Sequence, residues 1–277
     1  MTPDRRPGPA CGSDIRAAKL MDVARGGASG DCNMIKRLRL GGYLDSPSVP
    51  EEVKAEIRRI LRDNKVILPG WTPSFLRSLG NVRTVIDVGV LNGTPALYQA
   101  FPDARLILVE ALPMYEETCR QLLADRREGE LHMCAVGAVD GLTRIRYYPD
   151  RPATSSLLET DKEKDLALVE IDVPLRRLDG LLADRPLAGD VLLKIDVEGM
   201  ELEVLKGSVA LLPQVKYIIA ETSVRRRHKN SYRFADLVGF LATQGFDLYD
   251  ALRLTRSKAM QPGASIMDAI FVNGALE

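Results

Sequence analysis

The stretch Thr84-Val85-Ile86-Asp87-Val88-Gly89-Val90-Leu91-Asn92-Gly93-Thr94 constrains the fold more than any other part of this chain. Val85, Ile86 and Val88 are β-branched and apolar without alternation, the pattern of a strand covered on both faces in a parallel sheet. Gly89 and Gly93 follow where the chain must turn, and each permits a close backbone approach that a side chain would block. A strand passing through a glycine turn into a helix is the opening unit of an open α/β sheet, which binds ligands at the carboxyl ends of its strands. Asp87 falls at that end. An acid there suits a ligand with cationic and hydroxyl donors better than a bare pyrophosphate.

The same unit recurs downstream. A helix over 94–100 leads to residues 105–110, which read as a second buried strand ending in Glu110; another helix from 114 to about 127 follows, and residues 131–137 read as the third strand. Residues 143–148 and 169–173 instead alternate like exposed antiparallel strands, with polar 153–156 between them. A helix at 178–183 returns the chain to a fourth central strand, 191–196, which runs directly into Val197-Glu198-Gly199-Met200-Glu201 and a further helix. Residues 217–221 form a fifth strand. A helix over 232–243, capped near Asn230 or Ser231 and stopped at Gly245, precedes closing strands at 246–249 and 269–272. This alternation predicts right-handed crossovers and a doubly wound, mostly parallel sheet over residues 81–277.

Ahead of that domain, residues 1–33 lack apolar periodicity and are expected to be disordered, and 34–80 to form a helical extension. A helix starting near Ser48 carries Val53, Ile57, Ile60 and Leu61 on one face, to pack on the sheet or on a second copy in a homodimer. Trp71, in a turn-rich link, reads as a core anchor or as a lid.

Charge decides what the partners are not. Lys plus Arg and Asp plus Glu number 38 each, which gives no general attraction to nucleic acid or to an anionic membrane. The local run Arg225-Arg226-Arg227-His228-Lys229 is a solvated face or an anion site. No stretch approaches the ~20 apolar residues of a membrane helix. Arg5-Arg6 precedes Pro-Gly-Pro rather than an apolar run, so no leader is expected. The four cysteines show no Cys-x-x-Cys spacing, which implies reduced thiols and a cytoplasmic location.

Asp87, Glu110, Asp196 and Glu221 end four predicted strands, so a parallel sheet brings all four to one edge. One such acid is readily a helix cap. Four that repel one another point to a site. Glu110 lies at the end of the second strand, where such folds place an acid to accept hydrogen bonds from ribose hydroxyls. A nicotinamide dinucleotide asks for Gly-x-Gly-x-x-Gly, whereas the loop offers Gly89-x-x-x-Gly93 behind an acid. A cofactor with one nucleoside and a cationic centre, S-adenosylmethionine, fits better.

Taken together, Asp87-Val-Gly89-x-x-x-Gly93, Val109-Glu110, Ala135-Val136-Gly137, Leu178-Asp179 and Lys194-Ile-Asp196-Val-Glu198-Gly199-x-Glu201-x-x-Val204-Leu205-x-Gly207 resemble the FkbM-type S-adenosylmethionine-dependent methyltransferases, over about residues 82 to 273. The resemblance implies a Rossmann-like class I methyltransferase whose seven-stranded sheet has one antiparallel strand, acting by O-methylation on a hydroxyl of a sugar, polyketide or other specialised metabolite. It also implies that Gly89, Val90, Leu91, Asn92 and Gly93, with Thr94 after them, face the methionine part. Glu110 would face the ribose, and Ala111, Leu112, Ala135 and Val136 the adenine. The family usually has Ala and Asn where this chain has Val90 and Leu91, so a polar contact would be lost or supplied by Asn92.

Methyl transfer from a sulfonium is an in-line displacement that needs positioning and a base for the acceptor proton. Asp196, also a cofactor neighbour, and Glu198 flank the expected methyl position, and Glu221 lies on the next strand. His228 is the histidine nearest that edge, whereas His132 reads as a core residue. No resident metal is expected, although Asp196 and Glu221 could offer oxygens to a Mg²⁺ that orients a diol. An NAD-dependent oxidoreductase and a non-catalytic S-adenosylmethionine-binding scaffold remain the alternatives.

Overall fold

The computed structural model describes residues 50–52, 54, 55, 68–149, 168–185, 187–224, 231–255 and 265–276. The expectations for residues 1–33, the apolar face at Val53, Ile57, Ile60 and Leu61, polar 153–156, the basic run with His228, and the cap at Asn230 lie outside these residues.

Continuous apolar runs build the central strands. In β1 (Val82–Val88), β2 (Arg105–Glu110) and β7 (Asp190–Ile195) nearly every residue is buried, as expected of strands covered on both faces. Their side chains alternate between two cores. Ile86, Val88, Ile107, Val109, Leu193 and Ile195 point to one face, and Val85, Leu106, Leu108 and Leu192 to the other.

The first core is closed by α4 (Leu178–Leu182), α5 (Glu201–Lys206) and α6 (Phe234–Thr243). The second is closed by α1 (Pro73–Arg77), α2 (Pro95–Ala100) and α3 (Glu116–Ala124). At ~25 cal/mol per Å² of apolar area removed from water, these two layers supply the main drive to fold.

With β3 (Gly129–Met133), β8 (Val215–Ser223), β9 (Phe246–Thr255) and β10 (Ile266–Asn273), the large sheet runs β3-β2-β1-β7-β8-β10-β9. Strands β3, β2, β1, β7 and β8 are mutually parallel, and β10 is antiparallel to both β8 and β9. This is the Rossmann-like, doubly wound order with one reversed strand that the sequence resemblance implies.

Four elements depart from expectation. The third strand, expected over 131–137, divides: β3 stops at Met133, and β4 (Ala135–Val136) pairs with β6 (Val169–Arg176) in a second sheet. Its partner β2 ends at Glu110, whose carbonyl still accepts from the Cys134 N–H at 2.9 Å, so beyond that point the chain has no ladder to follow in the large sheet. Helix α6 begins at Phe234 rather than at 232, with Asp236 accepting from the Arg233 N–H at 2.8 Å. Ser231 therefore lies outside the helix. The closing strands are also longer than expected, each reaching toward the rim of the site.

The second sheet, β4-β6-β5, pairs β5 (Gly141–Tyr147) antiparallel with β6, Ile145 opposite Ile171. Its solvent face carries the pairs Arg144–Asp172 and Arg146–Glu170, each at 2.7 Å. Its inner face sends Ile145 and Val173 against Leu112 and Ala135. The small sheet thus becomes a roof beside the ends of β1 and β2.

The glycine of the Leu205-x-Gly207 motif has a packing cause. A Cβ there would lie 2.0 Å from the Gly137 carbonyl oxygen. Nearby, the Asp179 carboxylate accepts from the N–H groups of Ala210 and Leu211 at 3.1 and 2.9 Å, which ties α4 to the chain after α5.

Candidate active site

Strand order reverses between β1 and β7, and the crevice at that switch point is where open α/β sheets place ligands. Gly89 occupies it with φ 79°, and a Cβ there would meet the Asp196 carbonyl oxygen at 1.9 Å. The backbone that demands glycine is therefore the end of β7 rather than a ligand. The Asp196 N–H donates to the Val88 carbonyl at 3.0 Å, so the two strand ends hold each other.

Asp87 is turned into the protein. It is fully buried, its Oδ1 lies 2.9 Å from Lys194 Nζ, and its Oδ2 accepts from the Thr94 and Tyr98 hydroxyls at 2.9 and 2.5 Å. Lys194 also donates to the Gly89 carbonyl at 2.7 Å. Burial alone would lower the lysine pKa, but Asp87 and Asp196 beside it hold the ammonium above the usual range. Burial and the Asp87 charge push the Tyr98 phenol well up, so it stays a donor.

Glu110 closes the glycine turn. One carboxylate oxygen accepts from the Val90 and Leu91 N–H groups at 3.0 and 2.8 Å, and the other from the Ala111 and Leu112 N–H groups at 2.9 and 2.8 Å. Leu91 sits at φ 48°, a left-handed conformation that Asn tolerates and Leu resists. The residue the family usually has there would rest more easily. Leu91 offsets this with packing, its side chain lying against the cluster of Leu112, Ala135, Ile145 and Val173.

Two chambers open on this edge. The first, about 280 Å³, runs from Gly89 and Leu91 past Glu110, Ala111 and Leu112 to Ala135, Val136 and Ile145. Its other wall is Asp196, Val197, Glu198, Met200 and Glu221. The second, about 260 Å³, is bounded by Gly93, Thr94, Trp71, Lys194, Arg253 and Asp268. Asp196 and Glu221 line both.

Oxygens of Asp196, Glu198 and Glu221 lie within 4.8 Å of one another, a spacing a hard cation could bridge and one that exposed acids often adopt without one. Arg253 lies 2.9 Å from Glu221 and 2.8 Å from Asp268, which in turn accepts from the Trp71 indole at 2.6 Å. Trp71 is thus both anchored and part of the rim.

Among the expected site residues, Asp87, Val90 and Asn92 line neither chamber. Val90 points into the second core, and Asn92 is exposed at the turn. His132 is half-buried on β3, 3.5 Å from Glu130, with burial lowering its pKa. Sequence reasoning did not assign Ile145, Val197 or Met200 to the first chamber. It also missed Lys194, Arg253 and Asp268 in the second; the one available signal was the Lys194-x-Asp196 spacing, since alternate residues of a strand share a face.

Glu201, at the start of α5, is 1% exposed, and burial pushes its carboxyl up to about 7. An unfolded glutamate ionises near 4.5, so between these values the folded chain binds more protons and stability falls as pH rises. Glu201→Gln should remove that slope. The stability difference between the variant and the parent is expected to change by about 1 kcal/mol from pH 6 to pH 8 in urea titrations, the parent losing ground.

A family profile described as "Methyltransferase FkbM domain" matches residues 87–248, more than half of the chain. "Methyltransferase sdnD" of Sordaria araneosa is 31% identical over 153 residues, covering 44% of this chain and 59% of that protein. "31-O-demethyl-FK506 methyltransferase FkbM" of Streptomyces tacrolimicus is 29% identical over 191 residues, covering 58% and 72%. The chain thus spans less than two thirds of the length of the first of these relatives.

Among solved structures, magnesium protoporphyrin IX methyltransferase of Synechocystis PCC 6803 with bound SAM aligns at TM-score 0.40 and 15% identity, covering 93% of this chain and 91% of that one. Aeropyrum pernix fibrillarin with bound S-adenosyl-L-methionine aligns at 0.41 and 14%, covering 73% and 76%. With the matched profile lying across the glycine turn, Glu110 and the Asp196 block, the chain belongs to the FkbM family of S-adenosylmethionine-dependent methyltransferases.

Proposed function

We propose that this chain transfers the methyl group of S-adenosylmethionine to a hydroxyl oxygen of a small molecule. The observation that carries the reading is the pair of chambers meeting at Asp196 and Glu221. One has a mainly apolar wall that suits a nucleoside, with buried Glu110 on one side and Asp196, Glu198 and Glu221 on the other; the second is polar and shares Asp196 and Glu221.

The donor set fits the cofactor. Leu112, Ala135, Val136 and Ile145 give the adenine an apolar slot, and Glu110, its oxygens engaged by four backbone N–H groups, holds the wall beside the ribose. When bound, the sulfonium supplies an activated methyl carbon. With the cofactor bound, the acceptor hydroxyl would have to lose its proton as it takes that methyl, and a carboxylate where the two chambers meet would receive it. Asp196 is the base on this reading because it borders both chambers, while Arg253 neutralises Glu221. Glu198 stands beside it. His228, outside the described residues, is the alternative base. Lys194, 3.8 Å from Asp196, keeps that carboxylate oriented.

The second chamber is the acceptor side. Its two cations are held by carboxylates, Arg253 by Glu221 and Asp268 and Lys194 by Asp87, and such a lining favours a neutral, hydroxyl-rich molecule over an anion. The wider similarity to a methyltransferase named for FK506 supports a specialised metabolite as acceptor. Cys119 and Cys134, buried and unbridged, agree with a cytoplasmic enzyme.

Titration calorimetry with S-adenosylhomocysteine and with NAD tests the cofactor assignment; tight NAD binding with no S-adenosylhomocysteine binding overturns it. Glu110→Ala is expected to weaken S-adenosylhomocysteine binding by ~1 to 3 kcal/mol, since the four amides that shape the wall beside the ribose lose their acceptor. An unchanged dissociation constant removes Glu110 from the ribose. Methyl-labelled donor incubated with a panel of hydroxylated metabolites identifies the acceptor, and cofactor binding without label transfer would favour the scaffold reading.

A further inference from the structure

Glu201 is the buried acid that the transfer chemistry leaves unused. A packing role alone would be filled better by an apolar side chain, because burying a carboxyl group costs free energy unless it makes hydrogen bonds. Glu201 makes two that lead in different directions. One oxygen accepts from the Gly199 N–H at 2.9 Å and the other from the Tyr232 hydroxyl at 2.7 Å.

The first bond reaches the turn between β7 and α5, which supplies Asp196, Val197, Glu198 and Met200 to the first chamber. That turn is under backbone strain. Glu198 has φ 52° and Gly199 φ 105°, and the left-handed region is unfavourable for a residue with a Cβ such as Glu198. Such a conformation persists only where its surroundings over-determine it. The second bond reaches Tyr232, which packs on the first core just ahead of α6. Helix α5 itself has independent anchorage, with Leu202, Val204 and Leu205 buried.

We propose that Glu201 is a positioning residue: its carboxyl group clamps the 196–200 turn to Tyr232 and so fixes the chamber wall that carries Asp196 and Glu198. It touches no ligand and acts through the Gly199 amide. The inference rests on the reading of the first chamber as the nucleoside site.

The test compares the full-length protein with Glu201→Ala, Glu201→Gln and Tyr232→Phe, each first shown to be folded by circular dichroism. Glutamine keeps a carbonyl for the Gly199 N–H and presents an amide to the Tyr232 oxygen, so it should restore the clamp. Glu201→Ala is expected to raise the S-adenosylhomocysteine dissociation constant about 10-fold and Tyr232→Phe about 3-fold, with Glu201→Gln within about 3-fold of the parent.

Amide hydrogen exchange at residues 197–200, measured without ligand, should quicken in Glu201→Ala and return to the parent rate in Glu201→Gln. A Glu201→Ala protein that melts earlier but binds and exchanges like the parent overturns the clamp and leaves a purely packing role. If the parent binds no S-adenosylhomocysteine, the nucleoside reading fails, and the exchange rates alone then support or overturn the clamp.

Discussion

Asp196→Asn is expected to lower methyl transfer at least about 100-fold while changing the S-adenosylhomocysteine dissociation constant by less than about 3-fold. General-base assistance contributes roughly 10²–10⁴ in rate, and asparagine keeps the shape of the side chain while losing the ability to take a proton. The geometry makes Asp196 the discriminating position, because it is shared by both chambers and stands next to Lys194 rather than buried beneath it. The measurement is turnover of the acceptor found in the labelled-donor screen, set beside calorimetry on the same preparations. Equal losses in both would assign Asp196 to holding the cofactor. Loss of transfer on adding a chelator, regained with Mg²⁺, would instead move the work of Asp196, Glu198 and Glu221 from proton removal to orienting the acceptor through a cation.

Lys194→Met should destabilise the fold by about 3–5 kcal/mol, the usual cost of leaving one member of a buried ion pair without its partner. Asp87 is fully buried, and Lys194 is 5% exposed, so water cannot replace the lost ammonium. For a chain of this size a change of that order lowers the melting temperature by about 10 °C. Adding Asp87→Asn should return much of the loss, because the stranded charge is then gone. A double variant no more stable than the single one would mean that the Thr94 and Tyr98 hydroxyls, rather than the lysine, hold Asp87 in place. Differential scanning calorimetry of the three proteins decides between these outcomes.

Much of the large sheet was legible because its strands are buried on both faces and therefore mostly apolar without alternation, Asp87 and Lys194 apart. Val85 to Val88, Leu106 to Val109 and Val191 to Ile195 needed no context to be read. The small sheet was half legible. Alternation exposed β5 and β6, yet nothing local announced that Ala135 and Val136 would leave β3 to pair with Leu175 and Arg176, because that depends on where β2 ends.

The site divided in the same way. Glu110, Gly89 and Asp196 stand at strand ends, which periodicity locates. The reason for Gly89 was not legible, since the carbonyl that excludes a Cβ belongs to Asp196, more than a hundred residues later in the sequence. Nor did the sequence reveal that Asp87 would be occupied by Lys194, Thr94 and Tyr98, because strand-end position does not say which way a side chain points. Arg253 and Asp268 were invisible for a different reason. They lie on β9 and β10, where only three-dimensional pairing sets Asp268 opposite both Glu221 and Arg253.

The hairpin of β5 and β6 separates what must be conserved in length from what need not be. Tyr147 lies opposite Val169, and inward from that pair the register runs without a slip to Gly141 and Leu175, placing Ile145 on the chamber wall. Residues inserted or deleted between 147 and 169 leave that register untouched. One residue added between Gly89 and Gly93 would instead pull the Val90 and Leu91 amides off Glu110. The cofactor chamber therefore depends on the length of the glycine turn far more closely than on the length of the chain joining β5 to β6.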